Sequence, residues 1–338
     1  MKKKAKKASF LPKAALAAFL AGAAFLPSCI SPQTANIQKN LAPLEQRVEK
    51  PVETKKDYLE NIKTSPKRDK EEIYALLISG LTENRHKEGL ETAYKTLTTQ
   101  LKIPKEKIRV LDNFPNNSKN YPVFGESSKE VIIKTFNEDL SKKIGPEDTF
   151  ILYITDHGFY EEKGEVSPDG KTLLKGGGFF TSDWKRFYAS TLKELVRKNI
   201  PTDTKCFFVF DFCYGGPVAK KMGTGKIIAV APQKEGTVYG GVYFSQTIWE
   251  SLIEEDDFFG NPSGKRIGDV NKDGLAIKEI FDYAKEYGIM SNLHFLEKDD
   301  KKKVHNPGMY YDKQRIDPSK FYLEDKKSQK LSTNRLNQ

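Results

Sequence analysis

Four short runs in the middle of the chain are apolar almost without a break. They are Ile73 to Ser79, Thr149 to Thr155, Cys206 to Phe212 and Lys226 to Val230. A strand with one wet face alternates apolar and polar residues, whereas a strand covered on both faces does not. These runs are of the second kind. Between them the apolar spacing changes to that of helices. Leu90, Ala93, Tyr94, Leu97 and Leu101 share one side of a segment from Glu88 to Leu101. Helices are also expected over Ser127 to Ile144, around Leu192 to Arg197, and over Tyr243 to Ile253, with a short strand at Ile108 to Leu111. Strands alternating with helices predict an α/β fold, a three-layer α/β/α sandwich with a mostly parallel central sheet. The 338 residues are enough for a sizeable core.

The two ends read differently. A basic start is followed by the apolar run Ala14 to Leu26, which is short for a membrane span and suits an export signal over 1–28. It closes in Leu26-Pro27-Ser28-Cys29, which resembles a bacterial lipoprotein signal and makes Cys29 the candidate lipid-bearing residue. A plain secretory signal is the alternative, and both export the protein. Residues 29–68 are polar and read as a flexible tether, 69–325 as the folded domain, and 326–338 as a disordered tail. The formal charge is +10, but six lysines fall in the first 13 residues and leave +4 for everything else. That is a weak electrostatic footprint, so nucleic acid is not an expected partner. Only three cysteines occur, Cys29, Cys206 and Cys213, too few for a disulfide-built exported domain.

In open parallel sheets, sites gather at the carboxyl ends of the strands. Asp156-His157-Gly158 follows one apolar run, and Cys213-Tyr214-Gly215-Gly216 follows another. If those strands are neighbours, a thiol and an imidazole meet at the sheet edge, as nucleophilic thiol catalysis requires. Gly158 lets main chain approach a substrate carbonyl, and its N–H with that of Cys213 would serve the oxyanion. Cys206, inside its strand, reads as a buried structural thiol.

Tyr153-Ile-Thr-Asp-His-Gly158 and Asp211-Phe-Cys213 resemble the His-Gly and Cys blocks of legumain-type peptidases, within the caspase-like group that also includes caspases, clostripain and gingipains. The likeness extends through Ser79-Gly80, Asn84-Arg85-His86 and Ile103 to Val110, and downstream through Ile228-Ala-Val-Ala-Pro to Trp249, covering about residues 70–255. The resemblance implies a caspase-like fold and a cysteine endopeptidase that acts on polypeptides without a required cofactor. Cys213 would form a thioester, and His157 would protonate the leaving amine and then help activate water. It also implies that Arg85, His86 and Asp211 line the pocket for the residue before the cut. A guanidinium and a carboxylate together suit an asparagine side-chain amide, with aspartate at low pH as an alternative. The chain departs from the family in two places. Asp211 stands where a Glu is usual, and Glu83 stands where an Asn orients the catalytic His, with Asn84 adjacent.

Asp269, Asn271, Asp273 and Gly274 match the start of a calcium loop. The closing carboxylate, Glu279, arrives one residue early, so the segment reads either as a shortened structural calcium site or as a polar turn before a helix from Leu275 to Tyr287. The stretch from Tyr160 to Phe180 is an expected hairpin near the site. Four functions stay open at this level: hydrolysis after Asn or Asp, cleavage after Arg or Lys, transpeptidation by the same dyad, and a lipoprotein that keeps the sheet only as a binding module. Oligomeric state is not readable.

Overall fold

In the computed structural model, contacts divide the chain into two units, Met1–Lys55 and Lys56–Gln338. The structure describes residues 71–114, 120–166, 173–234, 242–256, 262–266, 268–269, 275–292 and 307–323, all in the second unit. The export signal with Cys29, the tether and the tail lie outside the described residues. Among those described, no helix is long and apolar enough to cross a membrane.

The apolar runs form the sheet expected of them. β1 (Ile73–Ile78), β2 (Ile108–Leu111), β3 (Thr149–Thr155), β7 (Lys205–Asp211) and β8 (Ile227–Ala231) are parallel neighbours, and β11 (Gly308–Tyr310) closes the edge antiparallel to β8. The order across the sheet is β11-β8-β7-β3-β1-β2. Alternate residues feed two separate cores. Ala75, Leu77, Ile151, Tyr153, Phe207 and Val209 enter one. Leu76, Ile78, Phe150, Leu152, Phe208 and Phe210 enter the other. Each strand spends both its faces on apolar burial, which is why its sequence lacks alternation.

Helices cover both faces. α1 (Asn84–Thr99) packs Leu90, Ala93 and Leu97 into the first core. α5 (Val242–Glu250) and α6 (Ile277–Asn292) join it there with Trp249 and Ile280. On the opposite face lie α2, α3 (Ala189–Asn199) and α4 (Gly215–Met222). α2 runs as Lys129–Lys134, a wider π-helical stretch Thr135–Leu140, and Ser141–Lys143, with Ser128 capping its start. Side chains such as Trp249, Phe150 and Phe208 are fully buried, each contributing about 1.5–3 kcal/mol through removal from water.

The connections position the site. From β1 the chain crosses over α1 to β2, on one side of β1. From β2 it crosses the other face over α2 to β3, on β1's other side. This reversal opens a crevice at the carboxyl ends of β1 and β3. A second sheet stands beside it. β4 (Gly158–Val166) begins three residues past the end of β3 and pairs with β5 (Leu173–Phe180), which pairs with β6 (Arg186–Tyr188). The hairpin expected between Tyr160 and Phe180 is β4 and β5; its Pro168-Asp-Gly170 turn lies outside the described residues. β9 (Glu254–Asp256) and β10 (Pro262–Arg266) form a separate pair.

Candidate active site

β3 and β7 are neighbours, in register from Thr149↔Lys205 to Thr155↔Asp211. His157 and Cys213, each two residues past a member of that last pair, therefore leave adjacent strands at the same edge. The loops touch. A Cβ on Gly158 would lie 1.8 Å from the carbonyl oxygen of Cys213, so only glycine fits. The sequence reading gave this glycine a substrate-facing task; the geometry gives it a closer one, seating the His loop against the Cys loop. Cys213 is partly exposed, while Cys206 is buried in β7. Tyr214 takes a left-handed conformation (φ 60°), turning the chain sharply from strand into α4. The Gly215 N–H that opens α4 donates to the Phe212 carbonyl at 3.0 Å and fixes this turn. Tyr214 also stacks on Tyr160 of β4, ring centres 5.7 Å apart.

His157 is held from both sides. Its backbone N–H donates to Asp156 Oδ1 at 2.6 Å. Its ring Nε2 meets Glu83 Oε1 in a short contact. Glu83, not Asn84, is thus the residue that addresses the imidazole. Asn84 is instead the first residue of α1. The Glu83 carboxyl is lowered to about 2, chiefly by its hydrogen bond with His157, so it stays ionised and accepts from Nε2–H. Arg85 Nε donates to the other Glu83 oxygen at 2.8 Å, and its Nη2 lies 3.1 Å from His157 Nε2. Asp156 is buried and its carboxyl is pushed well up by burial. It accepts from the backbone N–H of Gly80 as well as that of His157. That tie joins the ends of β1 and β3.

Asp211 and His86 occupy the same face of the sheet. Asp211 is 5% exposed, and burial pushes its carboxyl up to about 7. Oδ2 accepts from Ser245 of α5 at 2.5 Å, and Ser245 in turn accepts from the Tyr153 hydroxyl at 3.0 Å. Oδ1 has no hydrogen-bond partner. His86 is 3% exposed, and burial lowers it to about 3, so its ring is neutral. Nδ1 bonds Thr155 Oγ1 at 2.8 Å, whereas Nε2 has no partner. His86 and His157 meet edge to face, ring centres 5.8 Å apart. Buried polar atoms without partners are costly, and these two belong to residues joined to the last pair of β3 and β7, Asp211 itself and His86 through Thr155.

Arg85, His86, Asp156, His157, Gly158, Asp211 and Cys213 thus gather at the carboxyl ends of β1, β3 and β7. Ser245 and Tyr153 were not singled out from sequence. No local pattern marks them, because they reach Asp211 only through packing of α5 on the sheet. The expected calcium loop is only partly described. Asp269 is buried, and Glu279 accepts the Ala276 N–H at 3.0 Å, capping the start of α6. Asn271, Asp273 and Gly274 lie outside the described residues.

No family model matches the chain, and no curated protein matches it. Solved structures give remote likenesses. The crystal structure of drICE aligns at 12% identity with TM-score 0.37, covering 73% of this chain and 90% of that one. A structure described only as a protease aligns at 11% identity with TM-score 0.36, covering 75% of this chain and 51% of that one. A secreted C11 cysteine protease from Bacteroides thetaiotaomicron, in complex with an irreversible peptide inhibitor, aligns at 13% identity with TM-score 0.31 over 56% of this chain and 55% of that one. In the latter two cases the chain spans about half the length of its neighbour. Likeness this distant carries no weight for the chemistry, and the functional reading rests on the site's own geometry.

Proposed function

We propose that the chain is a cysteine endopeptidase of the caspase-like group, cleaving after asparagine through Cys213 and His157. The observation that supports this best is the contact of the two strand-end loops. A partly exposed thiol and a carboxylate-held imidazole leave paired strands in register, Gly158 against Cys213. With Nε2 of His157 bonded to Glu83, Nδ1 is the nitrogen for proton transfer. Cys213 gives its thiol proton to His157 Nδ1 as Sγ attacks the scissile carbonyl carbon, and the backbone N–H groups of Gly158 and Cys213 receive the oxyanion. Collapse of that intermediate breaks the C–N bond, and His157 gives a proton to the departing amine. Water, deprotonated by His157, then cleaves the thioester.

The preference for asparagine draws on the two unpartnered atoms. Asp211 Oδ1 is an acceptor and His86 Nε2, with Nδ1 bonded to Thr155, is the donor. A carboxamide offers the matching NH₂ and C=O, and an amide left unbonded there would cost about 1–3 kcal/mol. A buried acid also favours one second reading, a basic residue before the cut facing Asp211. The preferences respond oppositely to pH. As Asp211 ionises around 7, cleavage after Asn persists, cleavage after Asp fades, and cleavage after Lys or Arg grows. A peptide library read between pH 5 and 8 distinguishes them. Labelling by an asparagine-directed electrophile, lost in Cys213→Ala, tests the nucleophile itself; equal labelling of both proteins rejects the peptidase reading. We further propose export of the protein, with Cys29 as its membrane anchor.

A further inference from the structure

Where β3 ends and α1 begins, three potential metal ligands converge. One ligand atom from each of Glu83, His86 and His157 lies within 4.8 Å of the others. Two imidazoles and a carboxylate form a ligand set that zinc accepts in sites with an open fourth position. Zinc about 2.0–2.2 Å from each of its tetrahedral ligands holds them roughly 3.4 Å apart, a spacing that small side-chain rotations would reach. The state of each group suits a cation. His86 is buried, its Nδ1 is fixed by Thr155 at 2.8 Å, and its Nε2 has no partner. A ring whose other nitrogen is already oriented is the usual condition of a ligating histidine. Glu83 already reaches His157 Nε2. A cation already sits at the cluster: the Arg85 guanidinium, 2.8 Å from Glu83 and 3.1 Å from His157 Nε2. Arg85 is only partly buried, with a third of its side chain exposed, and can turn outward.

We infer that Glu83, His86 and His157 form a site for a borderline divalent cation such as Zn²⁺, which displaces the Arg85 guanidinium. Glu83 ligates as the carboxylate, and each histidine ligates through Nε2 as the neutral ring, its proton moving to Nδ1, which on His86 faces Thr155 Oγ1. The thiol of Cys213 is not one of the ligands. The consequence for catalysis rests on the peptidase reading, though the site itself does not. Binding removes His157 from proton transfer and His86 from the substrate pocket, so the ion acts as a reversible brake.

The test is a Co²⁺ and Zn²⁺ titration of the full-length chain, read by the visible absorption of bound Co²⁺ and by calorimetry, with no substrate present. One ion per chain is expected, with tetrahedral Co²⁺ absorption and no thiolate charge-transfer band. Cys213→Ala should bind as wild type does. Glu83→Gln and His86→Ala should weaken binding by more than the 10–100-fold typical of losing an outer-shell partner. Because His86 is buried and its replacement can unfold the chain, Arg85→Ala carries the decisive arm. Removing the competing guanidinium should tighten binding about tenfold or more, a gain that unfolding cannot produce. Equal affinity in wild type and Arg85→Ala, or binding lost in Cys213→Ala, overturns the site. If cleavage is never seen but the variants follow this pattern, the peptidase reading fails and the metal site stands. With an active enzyme, Zn²⁺ should halt cleavage and a chelator restore it; bound zinc that leaves cleavage untouched overturns the brake.

Discussion

Cys206 and Cys213 lie one strand-length apart and have opposite surroundings. Cys206 is 2% exposed inside β7, its thiol pushed far up by burial, with only the Thr204 carbonyl 3.6 Å away to accept from it. Cys213 lies past the strand, partly exposed, on a loop that touches the His157 loop at Gly158. The same contrast separates Asp156 from Asp211. Both are buried carboxyls, but Asp156 spends both oxygens on backbone N–H groups, whereas Asp211 leaves one unpaired. Both acids sit at the carboxyl rim of the sheet, where Asp156 is fully partnered and Asp211 Oδ1 and His86 Nε2 are not, which destabilises the fold and leaves those two atoms ready for a ligand.

That contrast can be broken. The largest effect should come from Cys213→Ala, which should lower peptide cleavage by at least about 10⁴-fold with the thermal midpoint nearly unchanged. Residual cleavage near the wild-type rate would remove Cys213 from the chemistry. Next, Gly158→Ala forces a Cβ toward the Cys213 carbonyl and should separate the loops. Misplacement on this scale costs about 10²-fold in kcat, and a variant of unchanged kcat would show that the loop contact does not matter. Glu83→Gln keeps the shape but loses the charge that accepts from His157. Its kcat should fall at least about tenfold, toward the lower end of what general acid–base catalysis supplies, with KM little changed.

Two smaller effects concern stability. The carboxyl of Asp211 sits at about 7 in the folded chain, against an ordinary value of 3.8. Between those values the folded chain holds a proton that the unfolded chain has lost. Asp211 therefore makes the fold less stable as pH rises through that window, by up to about 1.4 kcal/mol per unit. Denaturant unfolding of Asp211→Asn should lack this part of the wild-type slope; identical slopes would mean that Asp211 is not a buried, protonated acid. Last, Cys206→Ala should cost about 1 kcal/mol through lost packing while cleavage stays within about twofold. Lost cleavage at unchanged stability would erase the distinction between the two thiols.

Much was legible in the chain before folding. Unbroken apolar runs, with helical spacing between them, demand strands covered on both faces. A parallel sheet in three layers meets that demand, and it puts His157 and Cys213 at strand ends. Helix boundaries moved by a few residues: the helix expected from Glu88 begins at Asn84. The partners of the site were less legible. Sequence left open whether Glu83 or Asn84 would address His157, and did not suggest Ser245 at all. The fold chose Glu83 and brought Ser245 to Asp211 across 34 residues of chain.

The sequence by itself determined which segments must be buried and which residues follow them, because apolar periodicity is a local property. Only the tertiary structure decided that β3 and β7 are neighbours, that Gly158 is glycine to admit the Cys213 carbonyl, and that Asp211 and His86 each keep one atom unpaired. Those depend on pairing order and on helices packing across a sheet, where the contacts join residues far apart in the chain and no local pattern records them.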